Sequence, residues 1–184
     1  MANTMLRLSE SEMITLWKQI LHLEVPRSDC DVERTDGIDL DAMVATHIKQ
    51  WYAHLLRTAP LHLVPVEDVI GSATMVSGQG VCTVQLPERC ARPVEVKMMA
   101  WKRPVTEFFS PDHPAAKMQS SALMRAGNEN PVVVAYDNRL ELYPAPESGP
   151  APITTLRAVA APADGSYAFS PQALDTIPHF AESL

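Results

Sequence analysis

The chain has 184 residues and a formal net charge of −7; hydrophobic residues make up 46% of it, and 16 prolines stand against 7 glycines. That length holds one domain, or one domain with an appendage, and that apolar content excludes wholesale disorder. The negative charge disfavours general coating of nucleic-acid duplexes, and no run of about 18 apolar residues is present to span a membrane.

The N-terminal Met1-Ala-Asn-Thr-Met-Leu-Arg-Leu is too short and polar for a secretion signal. Ser9 and Glu12 then form a Ser-x-x-Glu capping box, and Met13, Trp17, Ile20 and Leu21 follow at helical spacing. A first helix is predicted from about Glu10 to Leu23, with Pro26 beyond its end. Residues 28–38 read as a polar loop, after which Asp39 caps a second helix. Leu40, Met43, Val44, Ile48, Trp51, Tyr52, Leu55 and Leu56 give that helix a broad apolar arc, and Thr58-Ala59-Pro60 ends it. The pair forms a helical hairpin, with Trp51 and Leu55 expected between the first helix and a sheet.

From Leu61 the period becomes strand-like. Leu61, Leu63 and Val66 suggest an edge segment broken by Pro65. Residues 73–76 and 81–85 flank Ser77-Gly-Gln-Gly80, which reads as a hairpin loop. Val94, Val96, Met98 and Ala100 alternate with Glu95, Lys97, Met99 and Trp101, as in a half-buried strand. Ser110 or Asp112 is expected to start a short helix containing Ala115, Ala116, Met118 and Ala122. Pro131-Val-Val-Val-Ala and Leu140-Glu-Leu-Tyr flank a second hairpin with Asp137-Asn138 at its tip. A strand is predicted from Ile153 to Val159 after a Pro-rich link, then a polar, loop-like stretch over 161–169. Ser170-Pro171 has the form of an N-cap followed by Pro at the first helical position, opening a short C-terminal helix. The fold class is therefore α+β in a single domain over 1–184. A helix pair (1–60) packs on an antiparallel β-domain (61–160) carrying a short inserted helix near 111–123, and 161–184 adds a loop and a C-terminal helix.

Motifs of chemistry are weak along this chain. Asp29, Asp31 and Glu33 alternate like calcium ligands, but the positions that need Gly and Glu hold Arg34 and Leu40. A solvated acidic loop leading into a helix N-terminus accounts for them better. His47 and His54 lie about 10 Å apart along a helix axis, too far to chelate one ion as a pair. His22, His62, His113 and His179 are scattered. Ser77-Gly-Gln-Gly80 lacks the Lys-Ser/Thr and the helix of a phosphate loop, and no Gly-x-Ser-x-Gly elbow occurs. Cys30, Cys82 and Cys90 form no Cys-x-x-Cys pair, which fits reduced, unligated thiols, with Cys30 in its polar loop the most reactive. No catalytic residue, cofactor or metal site is expected, and the chain does not read as an enzyme.

The strongest functional lead is the cluster Lys97, Trp101, Lys102 and Arg103, followed at once by Phe108 and Phe109. An aromatic beside cations can stack on a base and grip phosphates. Equally, Trp101 can close a strand that Pro104 stops, while the cations pair with Glu95 and Glu107 or with a neighbouring subunit. Aromatics and Arg are also the residue types that anchor protein interfaces. Trp101, Lys102, Arg103, Phe108 and Phe109, with the tip at Asp137 and Asn138, are accordingly the expected contact residues.

The runs LPERCARPVEVKMMAWKRPVTEFF, HPAAKMQSS and RAGNENPVVVAYDNRLELYP, within residues 81–144, resemble the β-domain of bacteriophage neck proteins. These are head–tail connector, or adaptor, proteins of short-tailed phages, including the tubular gatekeeper type. The capped helix pair before this block, and YAFSPQALDTIPHFAESL after it, look like the family's flanking helices. The resemblance implies a structural subunit that self-associates into a ring and meets portal or tail proteins. It implies assembly in the bacterial cytoplasm into a virion, and double-stranded DNA passing through without sequence-specific binding. An acidic ring would let DNA slide without sticking. Two other readings remain: a nucleic-acid-binding module using Lys97, Trp101, Lys102 and Arg103, and a small enzyme whose site carries no motif.

Overall fold

The protein, as a computed structural model, is described over residues 4–23, 39–121, 123–146 and 152–182. The loop at 28–38, with Cys30, Asp29, Asp31 and Glu33, lies outside the described residues, as does Ala122. In chain order the strands and α-helices are β1 (Leu6–Leu8), α1 (Glu10–Ile20), α2 (Leu40–Thr58), β2 (Val66–Asp68), β3 (Thr74–Gly78), β4 (Val81–Gln85), β5 (Cys90–Met98), β6 (Phe108–Phe109), α3 (Pro114–Met118), β7 (Val132–Ala135), β8 (Arg139–Tyr143), β9 (Ile153–Ala160), β10 (Tyr167–Phe169) and α4 (Ile177–Ala181). Single 3₁₀ segments occupy Leu61–Leu63, Ile70–Ser72 and Pro171–Thr176. The fold is α+β, and the chain divides into two compact units, 1–65 with 161–184 and 66–160.

The first unit is built on α1 and α2. The capping box closes as the sequence predicts: Ser9 N–H donates to Glu12 Oε2 at 2.8 Å, and Glu12 N–H reaches Ser9 Oγ at 3.4 Å. The Ser9 N–H first, and then the Ser9 hydroxyl donating to Glu12 Oε2 at 2.7 Å, hold the Glu12 carboxyl below its ordinary pKa. Met13 and Trp17, one turn apart, are the buried positions of α1. On α2, capped by Asp39 through Ala42 N–H at 3.1 Å, the buried residues are Val44, Ile48, Trp51, Tyr52, Leu55 and Leu56. Met43, placed on the apolar arc from sequence, is 42% exposed at the arc's border.

Trp51 is 1% exposed and meets Trp17 and Phe169 edge-on, with ring centroids 5.8 and 5.3 Å away. Its Nε1–H donates to Thr176 Oγ1 at 2.9 Å. Its partners are therefore α1, β10 and the C-terminal 3₁₀ segment. The loop expected over 161–169 needs correcting here. Tyr167, Ala168 and Phe169 are all buried and pair antiparallel with β1. Asp164 accepts from Ser166 N–H and Oγ–H at the turn before the strand, and Arg7 of β1 reaches across to Asp164 at 3.5 Å. The terminal helix starts as 3₁₀ at Pro171 and becomes α-helical at Ile177, so Pro178 falls in the first turn of α4, where its missing N–H costs nothing.

The second unit holds two sheets, ordered β2-β9-β5 and β3-β4-β8-β7-β6. Both contribute to one core: Val96, Met98, Leu156 and Ala158 from the first meet Cys82, Val84, Val133, Leu140 and Leu142 from the second. All pairings are antiparallel except β6 with β7. The edge segment expected from Leu61 is a strand only at Val66–Asp68, at the edge of its sheet; Leu61–Leu63 is a 3₁₀ turn instead. Pro93 sits on β5, also an edge, next to a shift in register, which is where a strand tolerates a residue without N–H. The first hairpin is tighter than expected, turning on Gln79 and Gly80 with φ of 54° and 78°. Positive φ at both turn residues matches the twist of the flanking strands. In β7, Val133 enters the core while Val134, on the other face, is 2% exposed where α3 packs on the strand. Burial on both faces explains the unbroken Val-Val-Val run.

Candidate functional site

The segment from Trp101 to Phe109 begins with a change of face. β5 ends at Met98, and Trp101 N–H turns back to Met98 O at 3.1 Å. That turn rotates Trp101 into the core, at 2% exposure, and leaves Met99 69% exposed. The alternation read from sequence therefore breaks three residues before the tryptophan. Trp101 Nε1–H donates to Pro144 O at 2.9 Å, which satisfies the one polar group the ring carries inward.

Lys102 and Arg103 turn outward toward the loop at 128–130. Lys102 N–H donates to Asn128 O at 3.0 Å, and Arg103 Nη2 donates to Asn130 Oδ1 at 2.9 Å. Lys102 Nζ lies 3.9 Å from Glu129, both side chains being mostly exposed. These partners replace the Glu95 and Glu107 expected from sequence, since Glu95 faces Arg157 at 3.6 Å across the β5–β9 pair. Lys97 lies on β5 opposite Thr155, half-buried. Phe108 and Phe109 are half-buried in β6 beside Val133 and Val134. Phe109 stacks on His113 at 4.5 Å, and His113 Nδ1 accepts Ala115 N–H to cap α3. The cap is thus His113, rather than Ser110 or Asp112.

Asp137 and Asn138 are exposed at the β7–β8 tip. The tip is anchored: Asn138 O accepts both Leu86 N–H at 2.8 Å and Gln85 Nε2–H at 3.0 Å. Behind it, Tyr136 and Tyr143 hydroxyls both donate to Glu141 Oε2 at 3.1 Å, and the Arg139 guanidinium lies 4.2 Å over the Tyr136 ring. Burial, and then the neighbouring Glu141 carboxylate, push the Tyr143 hydroxyl up to about 12.

Two features carry no signal that sequence reasoning used. The first is the turn after α3. The helix stops at Met118, short of the expected extent, because Gln119 folds under it. Gln119 is 4% exposed; its Nε2–H donates to Ala115 O at 2.8 Å and its Oε1 accepts Ala126 N–H at 2.9 Å. Arg125 adds a second tie, with Nε–H to Gln119 O at 3.0 Å and Nη1–H to Gln79 O at 3.1 Å. Above these ties Leu123 is 98% and Met124 57% exposed. Gly80 makes room for the arrangement, since a Cβ there would stand 2.6 Å from Arg125 Nη1.

The second is a hollow of about 340 Å³ in the first unit, where the end of α2 faces α4. Its walls include Trp51, Leu55, Leu63 and Phe180, with His54, Thr58, Thr176 and His179 as the polar lining. His54 leans against Phe180 with ring centroids 5.9 Å apart. His47, half-buried on the same helix, takes no part in it.

Burial raises the pKa of both described thiols, Cys82 and Cys90, above the ordinary range, which lowers their thiolate content and their nucleophilicity. Among the described residues no three His, Cys, Asp or Glu side chains come together as a metal site. No helix among them is long and apolar enough to cross a membrane. Comparison with protein-family models, curated proteins and solved structures returns no match.

Proposed function

We propose that this chain is a non-enzymatic structural subunit that self-associates, in a phage or prophage head–tail connector ring that meets portal or tail proteins. The observation carrying the proposal is the display of large apolar side chains from backbone that is tied down. Leu123 and Met124 stand over the Gln119 and Arg125 ties, and Met99 stands at the stapled turn before Trp101. Exposed apolar groups on an ordered frame bind with little further loss of conformational entropy, which is the economy of a preorganised interface. The resemblance of residues 81–144 to neck-protein β-domains points the same way, and so does the charge of −7, under which DNA passes a ring without adhering.

The nucleic-acid reading is weakened by Trp101. At 2% exposure its ring offers no face on which a base could stack. The deciding experiment is electron microscopy and light scattering of the purified protein, alone and mixed with a portal-type protein. Ring-shaped particles, or stoichiometric addition to the portal, are expected. A chain that stays monomeric in both conditions at millimolar concentration contradicts the proposal.

A further inference from the structure

We infer that the Leu123–Met124 tip of one copy docks into the apolar hollow between α2 and α4 of another copy. The inference rests on the self-association reading and gives it a specific contact.

Size supports the match. A cavity of about 150 Å³ lined by aliphatic and aromatic side chains takes a benzene molecule. The hollow, at about 340 Å³, has room for two groups of that size, and the Leu and Met side chains are each smaller than benzene in carbon and sulfur count. Rigidity supports it as well. Gln119 and Arg125 hold the tip from both sides, so little order is lost when it inserts.

Charge selects the partner. Between His113 and Asn128 the sequence carries Lys117 and Arg125 and no Asp or Glu. Among the described residues, the unit that holds the hollow is acidic, with four Lys and Arg against seven Asp and Glu, whereas 66–160 has nine against nine. Asp175 and Glu182 are exposed on the C-terminal segment that supplies Thr176, His179 and Phe180 to the wall. A cationic apolar tip therefore finds its electrostatic complement on a second copy of the same chain. One patch meets a different patch, so the contact is heterologous and propagates around a ring or along a filament.

The test uses complementary variants of the full chain in sedimentation velocity across a concentration series. Leu123→Asp spoils the tip and leaves the hollow intact. Thr58→Trp, at an exposed position on the rim, fills the hollow and leaves the tip intact. Both sites are exposed, so both variants should melt like wild type; Met124→Asp serves as a second tip variant. Each variant alone is expected to lose association by at least about tenfold. An equal mixture of the two should form a dimer and nothing larger, because one good contact remains. The inference is overturned if either folded variant associates as wild type does, or if the mixture stays monomeric while wild type assembles; the ring reading survives both results. Wild type that is monomeric alone but joins portal rings also overturns the docking contact and spares the ring. Wild type that does neither removes both.

Discussion

At the scale of single residues, two neighbours on α2 decide the stability of the first unit. Trp51 fills the space among Trp17, Phe169 and the C-terminal segment, and its indole N–H is satisfied by Thr176. Trp51→Ala should cost roughly 3–5 kcal/mol in urea denaturation, since the surrounding rings can collapse only partly; a loss below about 1 kcal/mol would contradict the packing. Tyr52 works through its hydroxyl, which donates to Ala168 O and accepts Ala168 N–H, each at 3.1 Å, on the edge of β10 away from β1. Tyr52→Phe strands both backbone groups and should cost about 1–3 kcal/mol. Burial pushes the Tyr52 hydroxyl up to about 12, against an ordinary value of 10.0. The folded state therefore holds this proton where the unfolded chain releases it. The associated stability is complete below pH 10.0 and is lost as pH rises toward about 12. The stability difference between wild type and Tyr52→Phe, followed by denaturation at stepped pH, should be flat from neutrality to pH 10.0 and shrink above it. A difference that grows in that window would reverse the assignment.

At the scale of elements, the parts that were legible in the sequence are those whose cause is local. The Ser9–Glu12 box, the Asp39 cap and the apolar arc of α2 act within a few residues, and each appears where the pattern puts it. The two hairpins are legible for the same reason, because turn chemistry and flanking alternation sit side by side. What escaped has distant causes or too little length. β1, β6 and β10 have three, two and three residues, too few to show a period, and they exist because partners far along the chain pair with them. Trp101 changed face because a turn at Met98 intervenes, and the Leu123–Met124 turn is held by Arg125 to Gln79, 46 residues away. That last tie is testable. Gly80 and Gly165 both take positive φ, at 78° and 76°, so Ala at either should cost about 1–2 kcal/mol of backbone strain. Only at Gly80 does the new methyl strike Arg125, whereas Gly165 has open space. Gly80→Ala should therefore also speed hydrogen exchange at the Ala126 amide, and Gly165→Ala should not. Equal protection of Ala126 in both variants would show that Arg125 does not hold the turn.

At the scale of the whole molecule, function turns on what the exposed surface attracts. A duplex-binding protein of net charge −7 would need a concentrated basic face. Here Lys102 lies near Glu129, Arg103 is bonded to Asn130, and Trp101 is withdrawn into the core. The same segment suits a protein contact, because its backbone is stapled to 128–130 and its charged ends remain outside. Arg103→Glu separates these possibilities from a purely structural role. Arg103 is exposed, so reversing its charge should change stability by no more than about 0.5 kcal/mol. Placed in a contact between subunits or with a portal, the reversed charge meets groups arranged for a cation, and like-charge juxtaposition there costs several kcal/mol. On the proposed ring reading, folded Arg103→Glu should therefore fail to join portal particles under conditions where wild type does, measured by co-sedimentation. If it enters them at the wild-type level, the segment from Trp101 to Phe109 is not the contact. A third result, a salt-dependent shift of duplex DNA by wild type that Lys102→Ala with Arg103→Ala abolishes, would move the assignment from a structural ring to a nucleic-acid module.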